Sequence, residues 1–343
     1  DSLTIGLENV AVLSNGRLAD KAGRIATDSG IENVSLDVAG NNFVDLSGVP
    51  SNSLTQPLTI NGSGDLTATG VNFGVIEATE ASGDLDLNLG QTNFQSANLG
   101  SGDDVLTVNN IEETSSIDGG KGDDQIVLNN ISGGFNPEMA DIETMTVNGV
   151  GSARNTFVIG GENISGLETL EVNGVKLNQT VRMGDYEAGD LNLNTSNISG
   201  TVELADVDAV NMTVEGRYNG NLILEDTESL VMNVGGTTED GDRFTGSIQA
   251  ANLEELTINA TRNDLNAASS KTVLLDDPSN RATISDAKTS NLGNVAQLTV
   301  TGNGWVDLSN AQIGNNVADL TVDASALNAQ FNATFSTNVA DAE

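Results

Sequence analysis

Residues 119–127 read GGKGDDQIV, and residues 99–107 read LGSGDDVLT. Each stretch ends a glycine-rich turn with two aspartates and then starts an alternating apolar run, Ile126-Val127-Leu128 in one and Leu106-Thr107-Val108 in the other. The nonapeptide pattern G-G-x-G-x-D-x-U-x, with U a large apolar residue, describes the first stretch completely. It describes the second at every position but the first, where Leu99 replaces glycine. Glycines there open conformations closed to other residues and leave carbonyls free to point at an ion. Asp104 and Asp124 are 20 residues apart, so in a coiled chain of that period they should lie one above the other. The pattern places Ca2+ between such turns. The expected donors are Gly100, Gly102 and Asp104 from one turn and Gly119, Gly120, Gly122 and Asp124 from the next, with Asp103 and Asp123 as further candidates.

Working outward, the same turn recurs. Gly–Asp pairs stand at Gly64–Asp65, Gly83–Asp84, Gly102–Asp103 and Gly122–Asp123, at steps of 19, 19 and 20 residues. In the two earlier pairs, Leu66 and Leu85 take the position of Asp104. Those turns should keep the bend without the buried carboxylate, so one or two calcium sites are expected and not a long array.

The alternating apolar unit recurs as well. From Leu85 it continues through Leu106, Ile126, Met145, Leu170, Leu191, Met212, Met232 and Leu256, at steps of 21, 20, 19, 25, 21, 21, 20 and 24 residues. Earlier members are Leu36 and Leu58, and later ones are Leu298 and Leu320. The 42-residue gap from Leu256 to Leu298 reads as two coils with Leu274 or Leu275 as the hidden member. Alternation is the period of a half-buried strand. Strands this short bury a continuous aliphatic column only when stacked one per coil. The expected fold is therefore all-β, a parallel β-solenoid (β-helix or β-roll) with coils of about 19–25 residues. Residues 1–35 should form N-terminal coils or a cap, with a short helix within Gly16 to Gly30. Residues 36–343 should form one continuous solenoid with the calcium turns at about 99–128.

Composition limits the chemistry. The chain has 13 basic and 49 acidic residues, a formal charge of −36. The charge disfavours nucleic acid and anionic membrane surfaces as partners, because a phosphate backbone requires clustered Lys and Arg, and no nucleic-acid partner and no membrane insertion are expected. No histidine and no cysteine are present. That removes Ser-His-Asp catalysis, thiolate nucleophiles and the usual transition-metal ligands. Carboxylates and carbonyls remain, and hard oxygen donors suit calcium. No apolar run approaches the ~20 residues of a membrane-spanning helix.

The stretches LGSGDDVLTV, IDGGKGDDQIVLNN, ADIETMTVNG and SGLETLEVNG together resemble the RTX-type surface-layer proteins of Gram-negative bacteria, in which calcium turns alternate with coils of the form G-x-E-T-L-x-V. Here the latter unit is Ile142-Glu143-Thr144-Met145 and Leu167-Glu168-Thr169-Leu170. The specific similarity covers residues 99–175, and the chain carries only two calcium nonapeptides where many members carry more. The resemblance implies a secreted, calcium-ordered solenoid that tiles the bacterial cell surface, exported by a type I pathway. Its partner would be itself, with cell-surface polysaccharide as a second one. The same coils would also serve the stalk or binding module of a secreted adhesin. A β-helix polysaccharide lyase is the enzymatic alternative, with Arg182-Met183-Gly184-Asp185-Tyr186 as the candidate loop. A solvated coil corner is the simpler account of that loop, and the chain reads as a structural protein without catalytic residues.

Overall fold

The computed structural model describes residues 2–10, 13–14, 17–18, 23–27, 31, 33–49, 57–90, 94–109, 111–131, 133–151, 156–186, 188–235, 242–261, 272–275 and 290–335. The fold is all-β, a parallel β-solenoid. Among the described residues the helical element is one 3-10 turn, Gly161–Asn163, and no helix is long and apolar enough to cross a membrane. The chain divides into two compact units, residues 1–147 with 163–167, and residues 148–162 with 168–343.

In the first unit each coil contributes a strand to each of two sheets. Ser2–Glu8, Asn33–Ala39, Pro57–Gly62, Val75–Ala81, Phe94–Asn98, Ile111–Asp118 and Glu138–Ala140 form one sheet in that order. Gly23–Ala26, Asn41–Gly48, Asp65–Val71, Leu85–Leu89, Val105–Val108 and Gln125–Ile131 pair in parallel in the other. Alternation sends every second residue inward. Leu58, Ile76, Ala97, Ile117 and Met139 stack in register, and each is at most 1% exposed. Leu87, Leu106 and Ile126 make the facing column. Burying such a side chain stabilises by about 1.5–3 kcal/mol, and the repetition of that gain compensates for strands too short to stand alone.

In the second unit the coils have three faces. One runs through Thr169–Asn173, Ala188–Ile198, Val207–Tyr218, Ser229–Val234, Glu255–Ala260, Gln297–Gly302 and Thr321–Asp323. A second links the ends of the two long strands to Arg243–Phe244, Val273–Leu274, Val306–Ile313 and Phe331–Phe335. The third joins Thr156–Gly160, Thr180–Gly184, Thr201–Leu204, Asn221–Leu224, Ser247–Gln249 and Asn291–Leu292. Leu193, Met212, Met232, Ile258 and Val300 share one fully buried column.

Three expectations are corrected. Leu256 pairs directly with Leu298, so the 42-residue interval is a single coil, and Leu274 belongs to another face, beside Asp307, on a strand whose Val273 stands between Phe244 and Val306. The apolar series is not one column either. Leu36 and Leu58 lie in the first sheet of the first unit, and Leu85 lies in the second. Within a sheet the unit slips by two residues, Leu170 standing beside Leu193 and not Leu191. A two-residue slip keeps every apolar side chain on the same face, which is why the sequence tolerates it. Most coil steps keep to about 19–25 residues, while the extremes run from 17 between Phe94 and Ile111 to 42 between Leu256 and Leu298.

Within the stretch expected to hold a short helix, Arg17–Leu18 and Gly23–Ala26 are strands, and residue 27 is the one other residue described. The rest of residues 16–30 lies outside the described residues.

Candidate functional site

The site lies in the first unit, at the turns that join its two sheets. Leu66 pairs with Leu85. The register of Asp86 with Val105 sets Leu85 beside Asp104, and that of Val105 with Gln125 sets Asp104 beside Asp124. Leu66, Leu85, Asp104 and Asp124 thus occupy one inward column, as their spacing predicted. Leu66 and Leu85 are each 1% exposed, and the two aspartates 0% and 1%. The chain has replaced core leucines with carboxylates in two successive coils.

These carboxylates are held by backbone donors. Asp104 Oδ1 accepts the Leu85 N–H at 2.8 Å, and its Oδ2 accepts the Gly100 N–H at 3.1 Å. Asp124 Oδ1 accepts the Asp104 N–H at 2.8 Å. The next coil contributes a residue that the sequence reading did not single out: Glu143 Oε2 accepts the Asp124 N–H at 2.6 Å. Its signal was available, since Glu143 follows Asp124 by 19 residues, the coil step, and opens one of the Glu-Thr units.

A second acidic column runs along the rim. Asp84, Asp103 and Asp123 donate their N–H groups to Oδ1 of Asp65, Asp84 and Asp103, at 3.2, 3.0 and 3.0 Å. All four aspartates are exposed. The turn is therefore stacked on four successive coils, and Asp103 and Asp123 stand one residue outside the buried pair.

The glycines fit the turn for two reasons. Gly120 and Gly122 have φ of +94° and +132°, and a Cβ on them would overlap the carbonyls of Gly100 and Gly102. Gly119 has no such torsion, but a Cβ there would overlap the Asp141 carbonyl and sit 2.7 Å from Asp124 Oδ2. That carbonyl and that carboxylate oxygen thus converge on one face of Gly119. Of the other expected carbonyl donors, Gly100 O accepts the Lys121 N–H at 3.2 Å.

Burial pushes the Asp104 carboxyl up to about 6 and that of Asp124 up to about 7. The backbone donors oppose the shift. The Asp84 and Asp103 charges add to it at Asp104, and those of Asp104, Glu143 and Asp103 add to it at Asp124. Asp124 Oδ2 is buried with no hydrogen-bond partner among the described residues. An orphaned carboxylate oxygen in a core position is a costly arrangement, and a proton or a cation would relieve it. Among the described residues no three acidic side chains converge closely enough to hold a metal ion unaided. Backbone carbonyls would have to complete any coordination, as calcium with its six to eight oxygen ligands commonly allows.

The other candidate loop is differently committed. Arg182 Nε lies 2.7 Å from Glu203 and its Nη2 lies 3.7 Å from Glu225, while Tyr186 is buried. No protein-family profile matches the chain, and no curated protein or solved structure is significantly similar to it.

Proposed function

We propose that this chain is a structural segment of a bacterial surface layer, a calcium-stabilised β-solenoid that assembles with copies of itself outside the cell and catalyses no reaction. The observation that carries the reading is the buried pair Asp104–Asp124, with the half-buried Glu143 bonded to it from the next coil. A solenoid gains nothing in folding from replacing buried leucines with carboxylates unless something neutralises them. With only oxygen donors present, a hard divalent cation such as Ca2+ suits the site. Asp124 Oδ2, the Asp141 carbonyl and Glu143 would hold it on one side of the 119–124 turn. Asp104 and the carbonyls of Gly100, Gly102, Gly120 and Gly122 are the donors available on the other, with Asp103 and Asp123 at the outer edge. Bound calcium supplies positive charge where the chain has concentrated negative charge, and it links successive coils. The backbone N–H groups that now hold Asp104 and Asp124 keep both carboxylates oriented. A net charge of −36 keeps copies apart until cations intervene. The cation in the lyase candidate loop is spent on Glu203 and Glu225, which favours a structural reading of that loop.

The test is a calcium titration of the metal-free chain followed by light scattering. Growth into large particles that a chelator disperses is the expected result. A chain that binds calcium and stays monomeric would point instead to the stalk of a secreted adhesin. A chain indifferent to millimolar calcium would overturn the reading.

A further inference from the structure

The second unit carries an outward face without charge. On its first face the register sets Asn192, Asn211, Val231, Thr257 and Thr299 in one row. Two residues further along each strand, Asn194, Thr213, Asn233, Asn259 and Thr301 form a second row. These are exposed or half-buried positions on five successive strands, and none is ionisable in a chain of net charge −36. The carboxylates stand around them. Asp190 and Glu255 lie in the row before, Glu215 lies in the row after, and Glu171 and Asp323 lie at the two ends.

The face is also ordered in advance. Asn211 Nδ2 donates to Asn192 Oδ1 at 3.1 Å, Asn233 Nδ2 to Asn211 Oδ1 at 2.9 Å, and Asn259 Nδ2 to Asn233 Oδ1 at 2.8 Å. Thr301 Oγ1 continues the ladder to Asn259 Oδ1 at 2.6 Å. Side chains fixed in this way have little rotamer entropy left to lose on docking. Parallel in-register strands at ~4.8 Å, carrying ladders of Asn with Thr and Val between them, form the surface that pairs with its own like in cross-β packing.

We propose that this face is where one copy of the chain docks on a second copy, sheet against sheet. The charge argument selects that occupant. Two copies at −36 repel, and this face lets backbones approach with only the rim carboxylates opposed. Neither row holds an aromatic residue, so the stacking platform that a sugar ring would use is missing. Two rows on five strands amount to a few hundred Å2, well below the ~800 Å2 per partner of a stable complex. A single contact is therefore weak and is effective only when repeated. The proposal rests on the self-assembly reading above and not on its calcium site.

The experiment is sedimentation of the full chain at high concentration in chelator and about 1 M monovalent salt, where the screening length falls to ~3 Å and rim repulsion is suppressed. Concentration-dependent association of the native chain is expected. The double variant Asn211→Asp/Thr257→Asp should weaken it at least tenfold, and Thr156→Asp/Thr180→Asp, which adds the same two charges at an exposed and a half-buried position on another face, should not. Thr299→Glu, outside the ladder bonds, replaces the double variant if circular dichroism shows the latter to be misfolded. A native chain that stays monomeric in salt overturns the proposal, and so do face variants that associate like the native chain. Calcium-driven particles formed equally well by the face variants would overturn this face while leaving the self-assembly reading in place.

Discussion

The backbone N–H of Asp104 donates to Oδ1 of Asp124, in the next coil, at 2.8 Å. One residue outward the direction reverses: the Asp123 N–H donates back to Oδ1 of Asp103 at 3.0 Å. Adjacent residues thus tie the same two turns together in opposite senses, one bond in the core and one on the rim. The buried bond fixes one Asp124 oxygen and leaves the other without a donor among the described residues, so the turn is held in place while one carboxylate oxygen still calls for a neutralising partner.

Burial of the two carboxyls gives the metal-free chain a pH dependence. Asp104 and Asp124 are pushed up to about 6 and about 7, above the 3.8 of an unperturbed aspartate. Between those values the folded chain binds more protons than the unfolded one, so stability falls as pH rises through the window. The contribution is fully present near pH 4 and lost by about pH 7. In chelator, thermal unfolding should therefore come at higher temperature near pH 4.5 than near pH 7.5. With calcium the order should reverse, because the ion requires both carboxylates ionised. An unfolding temperature that rises from pH 4.5 to 7.5 in chelator would contradict the burial of these groups.

Substitution isolates Asp124 from the other carboxylates. Asparagine keeps the shape of a protonated aspartate, and at position 124 it can supply a donor on the side of the Asp141 carbonyl. Asp124→Asn, which keeps an oxygen for the Asp104 N–H, should stabilise the chelated chain at pH 7.5, by an amount on the order of a few kcal/mol at most. Asp104 is left unchanged because both of its oxygens already accept backbone N–H groups. The variant should also lessen the pH slope and abolish the gain on adding calcium. Paired melting curves in chelator and calcium check all three effects.

The sequence made the turns legible because each carries several independent constraints. Gly102 with Asp104, and Gly122 with Asp124, stand at fixed offsets, and their 20-residue spacing repeats the coil. It also placed Leu66 and Leu85 correctly in the carboxylate column. It misplaced the alternating units, since alternation marks which residues point inward but not which inward position faces which. Leu170 beside Leu193, and the single coil from Leu256 to Leu298, are consequences of that degeneracy. Glu143 was missed because its coil has no glycine turn to advertise it, and the 19-residue step from Asp124 is the one sign that it carries.

The turn glycines give a stability test independent of any ion. Gly122 combines φ of +132° with a carbonyl in the way of any Cβ. Gly122→Ala should cost about 2 kcal/mol or more through backbone strain and overlap. Gly6→Ala is the control, since a Cβ there meets nothing within 4 Å and the residue lies in a strand. It should be neutral or slightly stabilising. Equal losses for both variants in chemical unfolding would contradict the stacked-turn geometry.

The second unit carries its own test in Tyr218 and Phe244, whose rings stack at 4.7 Å with 18° between planes, in register on successive coils. Both are fully buried, and the Tyr218 hydroxyl donates to the Asn221 carbonyl at 2.9 Å. Phe244→Ala leaves a cavity against a ring that is anchored at its far end and cannot follow the truncation, so a loss of about 3–5 kcal/mol is expected. Tyr218→Phe keeps the stack and removes only the hydroxyl, and it should cost about 1–2 kcal/mol. Tyr218 and Phe244 share no register partner with Asp104 or Asp124 among the described residues, and effects at sites with no shared partner are independent. Calcium titration of both variants should therefore return the midpoint of the native chain even as the denaturation midpoint falls. A shifted calcium midpoint would mean that the aromatic stack supports the acidic turns, contrary to the separate register columns that hold each of them.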